Sequence, residues 1–428
     1  MQRAFCFYVG VDWATQTHRV CVMGANGEIL RQQSIEHSGG AIRAWLQSLE
    51  ELAPGDPQQV AVAIEVPRGP LVEALLERKY AVFAINPKQL DRFRDRFSVA
   101  GAKDDERDAL VLADSLRTDQ HCFRAVALDA PEIIRIRELA RTEENIAADL
   151  RRTANQLYQL LLRYYPQILE LCAFPDEPWL WALLEAAPTP QRGAKLTTTR
   201  LRNLLAQYRI HRWSAEQIRE VLGRPPLPVA PGVEDAVSEH VLLLVPLLRL
   251  FHRQRKDLAD RIEAVLDWMT KPNPAAPNSP ATTDVSLLLS IPGIGRVISA
   301  TMIAEGADPL AQRDYHALRA YAGIAPVTRQ SGKTKQIVMR QGCNHRLRNA
   351  FYHWARTSIQ NDDRAYARLR SVGHGHGRAL RGVADRLLTM LIAMPKSGQT
   401  YDRVRRKTNE RECSPDQKCS VMRWRHLI

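Results

Sequence analysis

The chain has 428 residues, 45% of them hydrophobic and 25% charged, a globular balance long enough for two or three domains. Lys and Arg outnumber Asp and Glu by 60 to 47, giving a formal net charge of +13 and a pI near 9.6, so a polyanionic partner is expected. No stretch approaches the roughly 18 apolar residues of a membrane span, and "MQRAFCFYVGVDWA" lacks a secretory core and cleavage site. That favours nucleic acid over a membrane, and a cytoplasmic, nucleoid-associated location. The seven cysteines are scattered without a CxxC pair, which argues against a disulfide framework or a structural zinc site.

In chain order, "FCFYVGVD" (5–12) predicts a buried strand. "HRVCVMG" (18–24) and "ILRQQSIEH" (29–37) predict two more, joined through the Asn-Gly turn "ANGE". "AIRAWLQSLEEL" (41–52) has helical spacing, "QVAVAIEV" (59–66) is a fourth strand, and "GPLVEALLERKY" (69–80) is a helix. "AVFAIN" (81–86) is a fifth strand ended by Pro87, and helical sequence runs on through 105–117. The order β-β-β-α-β-α-β-α predicts a mixed sheet flanked by helices, an α/β domain over 1–125 with the element order of the ribonuclease-H-like (RuvC-like) fold.

Residues 130–270 then read as long coiled-coil helices. Ile136, Leu139, Ile146, Leu150, Leu157, Leu160 and Tyr164 mark a heptad seam interrupted by Glu143 and Thr153. A second helix over 234–269 offers Leu244, Leu248, Phe251, Leu258, Ile262 and Val265, with Pro246 expected to kink it or delay its start. The two could pair as a hairpin within one chain or across a dimer. Between them, 173–232 is Pro- and Trp-rich and reads as a small inserted helical segment. "KPNPAAPNSPATTD" (271–284) reads as a Pro-rich linker, 285–395 as a mainly helical domain, and 396–428 as a basic tail with no assigned role.

Asp12 follows an apolar strand run, and so does Glu65 on the strand expected beside it. Two carboxylates converging at one sheet position repel unless a cation neutralises them. In "GAKDDERDAL" (101–110), Asp105 and Asp108 are three apart and share a helix face, while Asp104 and Glu106 point elsewhere. Four carboxylates suit Mg²⁺ or Mn²⁺, and two such ions about 4 Å apart can stabilise both oxygens of a phosphodiester displacement.

"QSGKTK" invites a P-loop reading, but the required earlier glycine is replaced by Val327. Ser331 lies among Arg329, Lys333, Lys335 and Arg340, with Arg346 and Arg348 shortly after. It reads either as a turn serine in a phosphate-binding loop or as a nucleophile forming a phosphoserine link with DNA. "SIPGIGRVISA" reads as a helix-hairpin-helix turn, with Gly293 and Gly295 bringing backbone N–H groups to phosphate, or as a plain helical turn. "GHGHG" (373–377) reads as a loop, since no third metal ligand lies near.

Together, "VGVDWA", "AIEVP", "INPKQLDRFR", "AKDDERDALVLAD", "LLSIPGIGRVISATMIAE", "LRAYAGIAPVTRQSGK", "GCNHRLRNAFYHWA" and "LRGVADRLLTMLIAM" resemble the DEDD transposases of bacterial insertion sequences, the bridge-RNA-guided serine recombinases. The resemblance covers roughly 5–120 and 285–402. It implies a RuvC-like domain with Asp12, Glu65, Asp105 and Asp108 as the metal-binding set, holding two Mg²⁺ or Mn²⁺ ions, and a C-terminal transposase domain with Ser331 as nucleophile. It further implies double-stranded element and target DNA as substrates, a structured guide RNA that chooses sequence, and a dimer or tetramer. Lys103, Gly293, Gly295, Arg329, Lys333, Lys335, Arg340, Arg346 and Arg348 are the expected nucleic-acid contacts. Asp104 departs from the family pattern, in which a small or hydroxyl residue is common. The alternatives are a metal-dependent junction endonuclease without a covalent intermediate, and a non-enzymatic nucleic-acid scaffold.

Overall fold

The computed structural model describes residues 4–96, 105–271, 280–291, 293–332 and 334–397, with the side chains of 105, 106, 280–284 and 395–397 outside that description. The chain divides into two compact units, Met1–Ala130 and Pro131–Ile428.

The first unit is built on a six-stranded sheet. Three strands meander: β1 (Phe7–Asp12), β2 (Thr17–Gly24) and β3 (Ile29–Glu36). After α1 (Gly39–Glu50) come β4 (Val60–Ile64), α2 (Pro70–Glu77), β5 (Ala81–Ala84), α3 (Pro87–Arg94), α4 (Asp105–Thr118) and a short β6 (Arg124–Ala125). The spatial order is β3-β2-β1-β4-β5-β6. β1 runs parallel to β4, and β4 to β5, while β2, β3 and β6 are antiparallel to their neighbours. The sheet agrees with the element order read from sequence, except for β6, which is too short to carry a periodic signal.

Both faces of the central strands are covered, which is why β1 and β4 read as unbroken apolar runs. Val9, Val11, Val60, Val62 and Ile64 pack with Trp45, Leu46, Leu71 and Leu75 from α1 and α2. Tyr8, Ala61 and Ala63 face the other way, toward Leu90 and Phe93 of α3 and Ala109, Leu112 and Leu116 of α4. β3 lies at the sheet edge and is mostly exposed, in keeping with its polar "RQQS".

The second unit is mainly helical. Its frame is two long helices, α5 (Pro131–Tyr164), followed by α6 (Gln167–Leu171), α7 (Pro178–Ala186), α8 (Pro190–Ala194), α9 (Thr198–Gln207) and α10 (Ala215–Leu222), and then α11 (Val233–Met269). α5 and α11 run antiparallel within the one chain. Arg255 donates to Glu143 at 2.9 Å and Gln156 meets His240 at 3.3 Å, while Ile133 and Ile136 share a core with Ile262 and Met269. The buried positions on α5 include Ile136, Ala140, Glu143, Leu150, Ala154, Leu157, Leu161 and Tyr164. Leu139, Ile146 and Leu160, expected in the seam, are only half-buried. The contact stripe also takes in small residues, Ala140 and Ala154, which a count of large apolar residues overlooks. α11 starts at Val233 and passes through Pro246 without ending there, so the proline does not delay the helix.

The insert, α6 to α10, forms a compact core with one end of the helix pair around Trp179, Trp181, Leu183 and Ile218. The other end packs on α12 (Pro280–Leu289), α13 (Arg296–Ala311), α14 (Tyr315–Tyr321), α15 (His345–Asn361), α16 (Arg364–Ser371) and α17 (His376–Ser397). α12 opens at Pro280, inside the stretch read as linker, and residues 272–279 and the tail beyond 397 lie outside the described residues. Between α14 and α15 stands an antiparallel hairpin, β7 (Val327–Ser331) and β8 (Thr334–Val338), where the sequence was read as a basic loop. No described helix is long and apolar enough to cross a membrane.

Candidate active site

β1, β4 and β5 are parallel, so their carboxyl ends share one edge of the sheet, the edge where α/β sheets bind ligands. Asp12 ends β1, and Glu65 directly follows β4. The register pairs Val11 with Ile64, so the next step sets Asp12 beside Glu65 on strands about 4.8 Å apart. Side-chain alternation settles the face. Tyr8 and Ala63 belong to the core under α4 and Val11 and Ile64 to the opposite one, so Asp12 and Glu65 fall on the α4 side. Both are half-buried.

α4 reaches this edge because small residues let it close on the sheet. A Cβ added at Gly10 would sit 1.9 Å from the Ala109 carbonyl oxygen and 2.6 Å from the Ala113 nitrogen. The helix backbone therefore lies directly over β1. Asp108, next to Ala109, is 3% exposed. Asp105 opens the helix, but its side chain is outside the described residues, as is Lys103 altogether.

The Asp108 carboxylate is held in a fork by Arg94, the last residue of α3: Nε donates to Oδ1 at 2.6 Å and Nη2 to Oδ2 at 2.7 Å. Arg94 Nη1 also donates to Asp91. Burial opposes the guanidinium charge, but the bonds and charges of Asp108 and Asp91 outweigh it and raise the Arg94 pKa above its ordinary value. Asp12, Glu65 and Asp108 offer only oxygen donors, the set a hard divalent ion takes. Among the described residues, the trio whose ligand atoms lie within 4.8 Å of one another is instead Asp119, His121 and Cys122, just beyond α4. Its Asp119 is engaged by Arg96 at 2.8 Å and Thr118 at 2.7 Å.

Behind Asp12 sits a pair of histidines that the sequence reading missed. His18 on β2 is fully buried, shares a 2.9 Å hydrogen bond with Nδ1 of His37, and accepts from the Ala14 amide at 3.3 Å. That amide bond leaves Nδ1 of His18 without a proton, so Nε2 is the donor to His37. The Trp13 ring packs against both. This cluster fastens the turn that follows Asp12. The two histidines are far apart in sequence, and only the β2–β3 register brings them together.

In the second unit, Ser331 is the last residue of β7, exposed, and paired with Thr334 across the hairpin. Gly332 takes φ +55, the left-handed conformation that a two-residue hairpin turn requires. The register places Arg329, Ser331, Thr334 and Gln336 on one face and Gln330 and Lys335 on the other. Lys333 lies outside the described residues. The hairpin is followed by Asn344, which caps α15 and donates to Glu305 at 2.8 Å. Arg141 of α5 grips the same carboxylate at 2.8 and 3.3 Å. Burial would raise the Glu305 pKa, but the Arg141 and Asn344 bonds prevail and lower it.

These two features coincide with two family models. A transposase model of the DEDD, IS110 type matches residues 9–166, and a model for transposases of the IS116/IS110/IS902 family matches residues 285–370. A mini-circle putative transposase for IS117 from Streptomyces coelicolor is 33% identical over 409 residues, covering 93% of this chain and 96% of its own length. This chain belongs to the IS116/IS110/IS902 family of transposases. The putative transposase y4uE of Sinorhizobium fredii is 43% identical over 211 residues, 49% of this chain and 58% of that protein. An IS116 insertion-element protein of Streptomyces clavuligerus is 26% identical over 92% of the chain and 96% of its own length.

The transposase spends several of its expected nucleic-acid contacts internally. Arg340 donates to the Ala325 carbonyl at 3.3 Å, Arg346 pairs with Glu144 at 2.5 Å, and Arg348 donates to His345 at 2.7 Å. Arg329 and Lys335 are exposed on the hairpin. Gly293 takes φ +82, where an added Cβ would stand 2.9 Å from Asn361 Nδ2, and Gly295 caps α13 without a side-chain bond. The next residue, Arg296, pairs with Glu263 at 3.0 Å and Asp267 at 2.5 Å. In the "GHGHG" stretch, His376 opens α17 and meets the Tyr366 hydroxyl at 2.7 Å.

Proposed function

We propose that this transposase cuts and rejoins element and target DNA using a carboxylate-held divalent metal in its first unit and Ser331 in its second. The observation that carries the reading is the placement of Asp12 and Glu65 side by side at the carboxyl edge of the sheet, beneath the helix that bears Asp105 and Asp108. Mg²⁺ or Mn²⁺, one or two ions held by these carboxylates, would offset charge building on the phosphoryl oxygens. The residues themselves orient the site: the His18–His37 pair fixes the turn after Asp12, and α4 fixes Asp108.

Ser331 stands at the hairpin tip, exposed and able to approach a duplex backbone. Its Oγ would form a bond to phosphorus as the bond from phosphorus to the departing deoxyribose oxygen breaks. The serine proton ends on water, and the departing oxygen leaves as a hydroxyl. Reversal with a new hydroxyl rejoins the strand and frees the serine. Arg329, on the same hairpin face, meets the phosphate charge. Sequence choice would fall to a structured RNA paired with both DNAs, and the chain would act as a dimer or tetramer.

The test is denaturing electrophoresis of the protein incubated with labelled element-end DNA, Mg²⁺ and the element's non-coding RNA. The wild-type protein is expected to leave a covalent protein–DNA species, and Ser331→Ala to lose both the adduct and strand transfer while still binding DNA. A Ser331→Ala protein that transfers strands at wild-type rate would sink the serine step. Free cleaved ends without an adduct would instead favour a metal-dependent endonuclease.

A further inference from the structure

The carboxylate that the proposed metal chemistry draws from α4 is already occupied. Arg94 takes both Asp108 oxygens in a planar fork, with Asp108 buried and the Arg94 side chain 26% exposed on its outer side. A buried carboxylate without a partner is costly, and here Arg94 supplies the balancing cation. A fork uses one lone pair on each oxygen, the directions a metal also prefers. Two positive groups cannot both take those positions on one buried carboxylate at little cost. Arg94 has somewhere to go: it ends α3, and its Nη1 is tethered to the exposed Asp91 one turn back.

We propose that Arg94 and a divalent cation exchange on Asp108, so that metal loading releases the Arg94 guanidinium toward a DNA phosphate. This rests on the carboxylate reading of the site. It makes Arg94 a counter-ion in the metal-free protein and a phosphate-binding group in the loaded one. With Arg94 in place the Asp108 charge is already balanced.

The sign of one measurement separates exchange from simple support. If Arg94 competes with the cation, removing it tightens metal binding; if Arg94 only positions Asp108, removing it weakens binding. Mn²⁺ alone would be titrated into full-length wild-type, Arg94→Ala, Arg94→Lys and Asp12→Asn proteins. Bound ion is read by electron paramagnetic resonance and by the rise in melting temperature. For Arg94→Ala the expected result is half-saturation at about tenfold lower Mn²⁺, the scale of a lost charged hydrogen-bond pair, with a lower melting temperature in chelator. Arg94→Lys, which cannot form the fork, should shift the same way by less, and it carries the sign should the alanine protein not fold. Unchanged or weaker Mn²⁺ binding in Arg94→Ala or, failing that, Arg94→Lys overturns the exchange. Asp12→Asn keeps the two failures apart. If it abolishes the wild-type Mn²⁺ response while the Arg94 variants do not tighten binding, only the exchange is wrong. If the wild type shows no saturable response, or Asp12→Asn leaves it unaltered, the carboxylate reading itself fails.

Discussion

Gly10→Ala is a one-methyl change that probes how the acidic helix is held. The new Cβ would stand 1.9 Å from the Ala109 carbonyl oxygen, where ordinary contact begins near 3.4 Å, so α4 must retreat by about 1.5 Å. The obstacle is helix backbone, with no flexible side chain to swing aside. Overpacking of that kind costs about 3 kcal/mol, the upper part of the usual range, because the contacts of Ala109, Leu112 and Ala113 with the sheet loosen together. In a unit of this size that is a fall of about 10 °C in melting temperature. Calorimetry of the full chain reads it directly. Gly39→Ala is the control, since nothing lies within 4 Å of a Cβ there and the change should be neutral. The same retreat displaces Asp108, and on the proposed carboxylate chemistry a misplacement of about 1 Å costs about 100-fold in rate. Strand transfer should therefore fall by that order even well below the melting temperature. A Gly10→Ala protein that melts within about 1 °C of wild type and keeps its activity would refute the packing of α4 on β1.

Two further predictions concern each unit in turn. Burial, and then the neighbouring His37, lower the pKa of His18 below the ordinary imidazole value of 6.5. The unfolded chain then binds the proton more readily, so this contribution to stability is complete above about pH 6.5 and is lost as pH falls toward the lowered value. His353 shifts in the same direction, so the readout is a difference: denaturant unfolding at pH 5.5 and 7.5 should show a smaller pH effect in His18→Asn than in wild type. In the helix pair, Glu143→Ala should destabilise by about 1–2 kcal/mol, because Glu143 is buried but its partner Arg255 keeps 41% of its side chain in water. A double-mutant cycle with Arg255→Ala checks this, and a coupling near zero would contradict it.

The first unit was legible from sequence because its signals are local. Unbroken apolar runs marked β1 and β4, the Asn-Gly turn marked the β2–β3 connection, and an Asp or Glu straight after a run marked a strand end. Pairing Asp12 with Glu65 needed only the parallel register, which the element order implies. What escaped were features made by long-range register or small residues. Gly10 looks like any strand glycine until α4 is laid over it, and His18 and His37 meet only across β2 and β3. Arg94 sits in a run of alternating charges, "DRFRDRF", where spacing along one helix cannot point to a partner on the next.

The charge surplus illustrates the same gap. Counting cations near Ser331 gave six residues of equal standing, yet their partners separate them. Arg346 answers Glu144, and Arg340 and Arg348 serve the local backbone and His345, so their charge stabilises the fold. Arg329 and Lys335 project from an exposed hairpin with no ion pair among the described residues, on opposite faces of the ribbon that ends in Ser331. A two-stranded ribbon with one cation on each face can lie along a groove and touch the backbone on either side. A formal +13 therefore overstates the cations available to nucleic acid. The Arg94–Asp108 pair turns this around if the proposed exchange holds: there, internal pairing is the reserve, and a divalent ion taking Asp108 would free one arginine for a phosphate.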